Sequence, residues 1–183
     1  MVPKVPAKVR AFSNNYSNDK LQTANKMPKH HYLSYINIIF TCMRTNGEII
    51  IIEDDQDDRA LLGDIFESLG YPNKITFIED PMDAVPYLSD PAVKPFIILS
   101  DINMPKINGF ELREEILSNS EISEKCVPYI FLSTSRSPEN VLRAYACHAQ
   151  GYFKKEDDFA VFTTVIQNIV EYWRISLTPT NSL

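Results

Sequence analysis

Residues 47–58 read Gly-Glu-Ile-Ile-Ile-Ile-Glu-Asp-Asp-Gln-Asp-Asp, so that the isoleucines Ile49 to Ile52 run straight into a block of carboxylates. A short β-branched run bounded by a glycine and a polar cluster predicts a buried central strand of a parallel sheet. The acids then stand at the strand's C-terminal end. In an open α/β sheet that end faces the ligand crevice, and carboxylates crowded there repel one another unless a cation or solvent relieves them. Phe96 to Ser100 makes the same move, running into Asp101. Two strand ends bearing acids predict one acidic pocket.

Working outward, Leu61, Leu62, Ile65, Phe66 and Leu69 recur at helical spacing, with Asp57 as a cap and Gly70 as a stop. Ile75 to Ile78 reads as a second strand. Asp80-Pro81 opens a helix through Leu88, shortened or kinked by Pro86. After the third strand, Phe96 to Ser100, a turn at Pro105 to Gly109 feeds a helix over Phe110 to Leu117, and Ser118 to Lys125 reads as a loop or a frayed extension. Pro128 to Leu132 is a fourth strand, followed by Ser133-Thr134-Ser135. Ser137 caps a helix from Pro138 whose apolar positions are Val141, Leu142, Tyr145 and Ala146. Gly151 to Lys155 is a short fifth strand. Asp157 or Asp158 then caps a last helix, Phe159 to Trp173, with Phe162, Val165, Ile166, Ile169, Val170 and Trp173 as its apolar stripe. Five strands alternating with five helices predict a doubly wound α/β parallel sheet covered on both faces.

At 183 residues the chain is about one domain long. Residues 1–45 differ in texture, with Pro3, Pro6 and Pro28 and a Ser/Asn-rich patch. They read as a disordered or loosely packed lead-in, as an added strand or helix from Tyr32 to Cys42, or as sequence upstream of a natural start at Met43. The globular domain is expected over 46–175, with a C-terminal tail over 176–183. The net charge of -6 and the lack of a concentrated basic patch argue against a nucleic-acid face. The apolar stretch Tyr32 to Met43 is shorter than the roughly 20 residues that span a bilayer. Three cysteines, Cys42, Cys126 and Cys147, lack metal-like spacing and fit a reducing, cytoplasmic setting. No glycine-rich phosphate loop follows the first strand, which excludes a dinucleotide site there.

Glu53, Asp54 and Asp101 converge if the first and third strands are neighbours, and such a set suits a hard, oxygen-seeking cation such as Mg²⁺. Asp55, Asp57 and Asp58 read instead as a solvated turn or helix cap. The hydroxyls of Ser133 and Thr134 end the fourth strand, and Lys155 ends the fifth. A cation, a hydroxyl and an ammonium around a carboxylate are what a phosphoryl group requires, with Asp101 as a nucleophile able to form an aspartyl phosphate.

On these residues the chain from about Glu48 to Trp173 resembles the receiver domain of two-component response regulators. The acidic pair matches Glu53-Asp54, where the isoleucine run ends. Asp101-Ile102-Asn103-Met104-Pro105-Lys106-Ile107-Asn108-Gly109 is close to the family's D-x-x-M-P-x-x-x-G. Ser133 matches the switch hydroxyl, Lys155 the buried lysine and Tyr152 the aromatic residue whose rotamer follows phosphorylation. The resemblance implies a flavodoxin-like receiver fold with strand order 2-1-3-4-5. It also implies Mg²⁺ bound by Asp54 directly, by Glu53 through water, by Asp101 and by the Asn103 carbonyl, with Asn103, Thr134 and Ser135 beside the phosphate.

It implies further a phosphoryl donor, either a sensor histidine kinase or a histidine phosphotransfer protein. Beyond that it implies a downstream protein partner, and a face of the fourth helix, fifth strand and fifth helix that can form a homodimer. The family's proline after the lysine, with its cis bond, is here Glu156. Either the site supports a non-proline cis bond, which costs about 2.5 to 4 kcal/mol, or the bond is trans and Lys155 sits differently. The rival readings are a degenerate receiver that serves only as a binding module and an aspartyl-phosphate phosphohydrolase, which would carry its D-x-D nucleophile after the first strand.

Overall fold

A computed structural model describes residues 46–125 and 127–176. The readings of the lead-in, of Cys42 and Cys126 and of the tail beyond Ser176 lie outside the described residues. Strands β1 (Glu48–Ile52), β2 (Ile75–Ile78), β3 (Pro95–Asp101), β4 (Tyr129–Ser133) and β5 (Gly151–Lys154) form one sheet in the order β2-β1-β3-β4-β5. Every neighbouring pair is parallel. The helices are α1 (Gln56–Leu69), α2 (Ala84–Ser89), α3 (Gly109–Ser118), α4 (Pro138–Ala146) and α5 (Phe159–Ile175).

Alternation along each strand divides the core into two layers. Ile49 and Ile51 pack with Leu62, Ile65 and Phe66 of α1 and with Phe162, Ile166, Ile169 and Val170 of α5. Ile50 and Ile52 face the other way, onto Ala84 and Leu88 of α2, Phe110, Leu112 and Ile116 of α3, and Ala144 of α4. The four isoleucines are buried on both faces, which is why an unbroken apolar run, not an alternating one, marks this central strand.

Several local readings change. The α1 cap is Asp55, not Asp57: its side chain accepts from the backbone N–H groups of Asp57 and Asp58 at 2.9 and 3.0 Å, so the helix starts earlier, at Gln56. Pro86 is accommodated by splitting its segment into a 3₁₀ turn, Pro81–Asp83, and the short α2. Within the expected loop or frayed extension after α3, Asn119 caps one helical turn, Ser120–Ser123. Ser137 precedes α4 but makes no side-chain cap. On α4, Leu142 and Tyr145 point outward and Ala144 is the residue that enters the core. Asp158 caps α5.

Candidate functional site

The register of the parallel strands places the site. Ile52 at the end of β1 lies opposite Ser100, and Asp101 lies opposite Leu132, so Glu53, Asp101 and Ser133 emerge at one edge of the sheet. Glu53, Asp54 and Asp101 each offer one carboxylate oxygen, and these oxygens lie within 4.8 Å of one another. Glu53 and Asp101 are buried, and Asp54 is half-buried. Lys155, 9% exposed, crosses the pocket: its Nζ donates to Glu53 Oε2 at 2.6 Å and stands 2.7 Å from Asp101 Oδ1.

Burial opposes the charge of Lys155, but the carboxylates of Asp101 and Glu53 prevail and hold its pKa above the ordinary lysine value. For Glu53 burial wins, raising the pKa to about 7 against the pull of Lys155. Beside Glu53 the pocket gathers the carboxyl groups of Asp54 and Asp101 around a single ammonium, which is the chemistry of a cation site. Three clustered carboxylates and a half-open edge fit a hard divalent ion such as Mg²⁺.

The peptide geometry after Lys155 resolves the question raised by Glu156. No cis peptide bond occurs among the described residues, so the bond is trans, yet Lys155 still reaches Asp101. Its backbone N–H donates to the Ser133 carbonyl at 2.8 Å, which continues the β4–β5 pairing past Lys154 and delivers the side chain without a proline. Glu156 acts as a tie: it pairs with Lys154 at 3.1 Å and with Arg136 of the β4–α4 loop at 2.9 Å.

Of the other expected residues, Asn103 is exposed and its backbone N–H donates to Asp101 Oδ2 at 2.6 Å. Ser133 is fully buried, and its Oγ accepts from the Ser135 N–H at 3.2 Å. Thr134 is exposed. Tyr152 is half-buried against the α2/α3/α4 layer of the core, and its hydroxyl donates to the Ser135 carbonyl at 2.7 Å. The hydroxyls of Ser133 and Tyr152 therefore both bond to Ser135, in the loop that follows β4.

Two residues escape a reading by spacing alone. Asp58, expected in a solvated turn or a helix cap, accepts from Lys155 Nζ at 2.7 Å. Arg59 donates to the carbonyls of Glu53 and Asp54 at 3.1 and 2.6 Å and to Glu79 at 3.2 Å, pinning the backbone of the acidic pair to α1. Their only signal is a position in the first turn of α1, five and six residues after Glu53.

The family model of the response regulator receiver domain matches residues 49–167. A probable methanogenesis regulatory protein of Methanothrix harundinacea, FilR2, is 29% identical over 129 residues, covering 68% of this chain and 82% of that protein. Among solved structures, the phosphorylated cyanobacterial phytochrome response regulator RcpA superposes with a TM-score of 0.66 at 27% identity, covering 73% of this chain and 99% of that one. The Mn²⁺-bound form of response regulator Rcp1 gives 0.62 at 25% identity, over 72% and 97%. Among the described residues no helix is long and apolar enough to cross a membrane. Two buried core layers around a 2-1-3-4-5 sheet, an acidic edge crossed by a lysine and a family match over most of the described residues lead to one assignment: the chain belongs to the response regulator receiver domain family of two-component signalling.

Proposed function

We propose that this chain is a phosphorylation switch that accepts a phosphoryl group on Asp101. The carrying observation is the Lys155 ammonium 2.7 Å from Asp101 at the edge of a pocket where three carboxylates gather. An Asp101 oxygen attacks phosphorus while the nitrogen–phosphorus bond of a donor phosphohistidine breaks. The imidazole leaves with the bonding electron pair and takes a proton from solvent. Glu53, Asp54 and Asp101, with the Asn103 carbonyl, would hold Mg²⁺, which when bound supplies neutralisation of phosphoryl charge. Lys155 supplies the fixed positive charge, and the Asn103 N–H orients the Asp101 carboxylate. The solved structures of RcpA in its phosphorylated form and of Rcp1 with Mn²⁺ support the reading by similarity.

The phosphoryl group brings about -1.5 to -2 charges into the pocket. The Ser133 hydroxyl turns to donate to it, giving up the Ser135 N–H. Because Tyr152 is bonded to the same loop through the Ser135 carbonyl, its ring moves with the loop. The change reaches α4, β5 and α5, where Leu142, Tyr145 and Tyr172 are exposed, and that face meets a downstream protein or a second copy. A separate histidine kinase or phosphotransfer protein is the donor; His148, exposed at the end of α4, lies on a different element from the acidic edge.

Intact mass after incubation with Mg²⁺ and a small phosphodonor tests this. Wild type should gain one phosphoryl adduct and Asp101→Asn none; an adduct that persists in Asp101→Asn, or none in either protein, overturns the reading.

A further inference from the structure

Lys155 has three carboxylate partners, but only two of them belong to the set that gathers around a cation. Glu53, Asp101 and Asp58 lie at 2.6, 2.7 and 2.7 Å from its Nζ. An ammonium has three protons to donate, so the three acceptors saturate it. Glu53 and Asp101 share their oxygens with Asp54 in the cluster that suits a divalent ion, and Asp58 stands outside that cluster. A cation entering the pocket therefore competes with Lys155 for Glu53 and Asp101 and repels the ammonium at short range. A phosphoryl group on Asp101 likewise withdraws that residue's oxygen from Lys155. Asp58 alone escapes both competitions.

We propose that Asp58 is a positioning residue whose carboxylate holds the Lys155 ammonium beside Asp101 while Glu53 and Asp101 turn toward a divalent cation and a phosphoryl group. The local structure suits the task. Asp55 Oδ1 binds the N–H groups of Asp57 and Asp58, and Arg59 clamps the Glu53 and Asp54 carbonyls, so Asp58 and the acidic pair are fixed to one turn of α1. The ordinary role of an acid in a first helical turn is to complement the helix dipole, which requires nothing of Lys155. Coupling between positions 58 and 155 separates the two roles. The phosphoryl half of the inference rests on Asp101 as acceptor, and the cation half does not.

The test is Mg²⁺ affinity by calorimetry in wild type, Asp58→Asn, Lys155→Met and the double variant, with Asp58→Ser as a second neutral substitution should Asp58→Asn fail to fold. With Lys155 present, loss of the Asp58 charge should weaken Mg²⁺ binding about tenfold, because ammonium and ion then contend for the same two carboxylates. In the Lys155→Met background the same loss should weaken it only about twofold, through its general charge. Asp58→Glu should restore binding to within about twofold of wild type. In a phosphodonor assay at saturating Mg²⁺, Asp58→Asn should slow formation of the Asp101 adduct about fivefold. Equal weakening in both backgrounds, or full affinity and rate in Asp58→Asn, overturns the proposal. Coupled Mg²⁺ affinities in a protein that takes no phosphoryl group would sustain the positioning role and refute Asp101 as acceptor.

Discussion

Ser133 illustrates how much one side chain's partners decide. A buried serine at a strand end can be mere core filling, yet here its Oγ is held by the Ser135 N–H and its carbonyl by Lys155. In the proposed switch the first bond is the one given up when the Ser133 hydroxyl turns to donate to a phosphoryl oxygen, while the second keeps Lys155 in place whatever the hydroxyl does. Ser133→Ala should still take the phosphoryl group on Asp101, but the shift at Tyr152 should vanish, as followed by the Tyr152 amide in NMR with and without phosphodonor. Stability should fall by about 1 kcal/mol, because the Ser135 N–H loses its acceptor. An unchanged Tyr152 response would remove Ser133 from the switch.

Among the elements, α3 is set by a contact that no helical period encodes. Gly109 begins it, capped by Asn108 in a reciprocal capping box with Glu111, and the Gly109 N–H donates to the Ile102 carbonyl at 2.9 Å. A Cβ there would fall onto the Asp101 carbonyl and 2.9 Å from the Ile102 Cα, so the helix can start this close to β3 only with glycine. Gly109→Ala should destabilise the domain by about 1 to 3 kcal/mol in urea unfolding and slow adduct formation, since the displaced backbone carries Asp101.

At the opposite end of the sheet, Glu48 of β1 accepts from Tyr87 of α2 at 2.7 Å and from Thr76 of β2 at 2.8 Å, with Lys74 at 3.2 Å. Burial alone would push the Glu48 pKa up, but these partners overcome it and bring it below the ordinary 4.5. A folded-state pKa below the unfolded one means stability that is present above the unfolded value and is lost as pH falls through the folded one. Glu48→Gln should therefore be about 1 kcal/mol less stable at pH 7. The gap should close as pH falls below 4.5, read from unfolding midpoints across that range.

For the molecule as a whole, the acidic edge sets stability against function. The chain carries a net charge of -6, and its carboxylates concentrate where β1 and β3 end, with Lys155 as the buried counter-charge. Asp54 makes up the third member of that cluster, and repulsion there is relieved by a cation or by deleting a charge. Mg²⁺ should raise the thermal midpoint of wild type, by up to about 2.7 kcal/mol in stability at a hundredfold excess over its dissociation constant, and a chelator should reverse the gain. Asp54→Asn should be more stable than wild type without Mg²⁺ and should gain nothing from adding it. An equal Mg²⁺ response in both proteins would show that the ion binds elsewhere.

Order along the chain was enough to determine a parallel α/β sheet and to aim Glu53, Asp54, Asp101, Ser133 and Lys155 at one edge. Hydrophobic runs are local, and their ends say where a strand releases its side chains. What the chain's order could not settle was partnership across elements. Asp58 meets Lys155 over a sequence separation of 97 residues, Glu156 meets Arg136 across two loops, and on α4 it is Ala144 that enters the core while Leu142 and Tyr145 face outward. Periodicity fixes a residue's face on its own helix or strand, but which charge or cavity awaits that face depends on how separate elements dock. Only the packed molecule decided that.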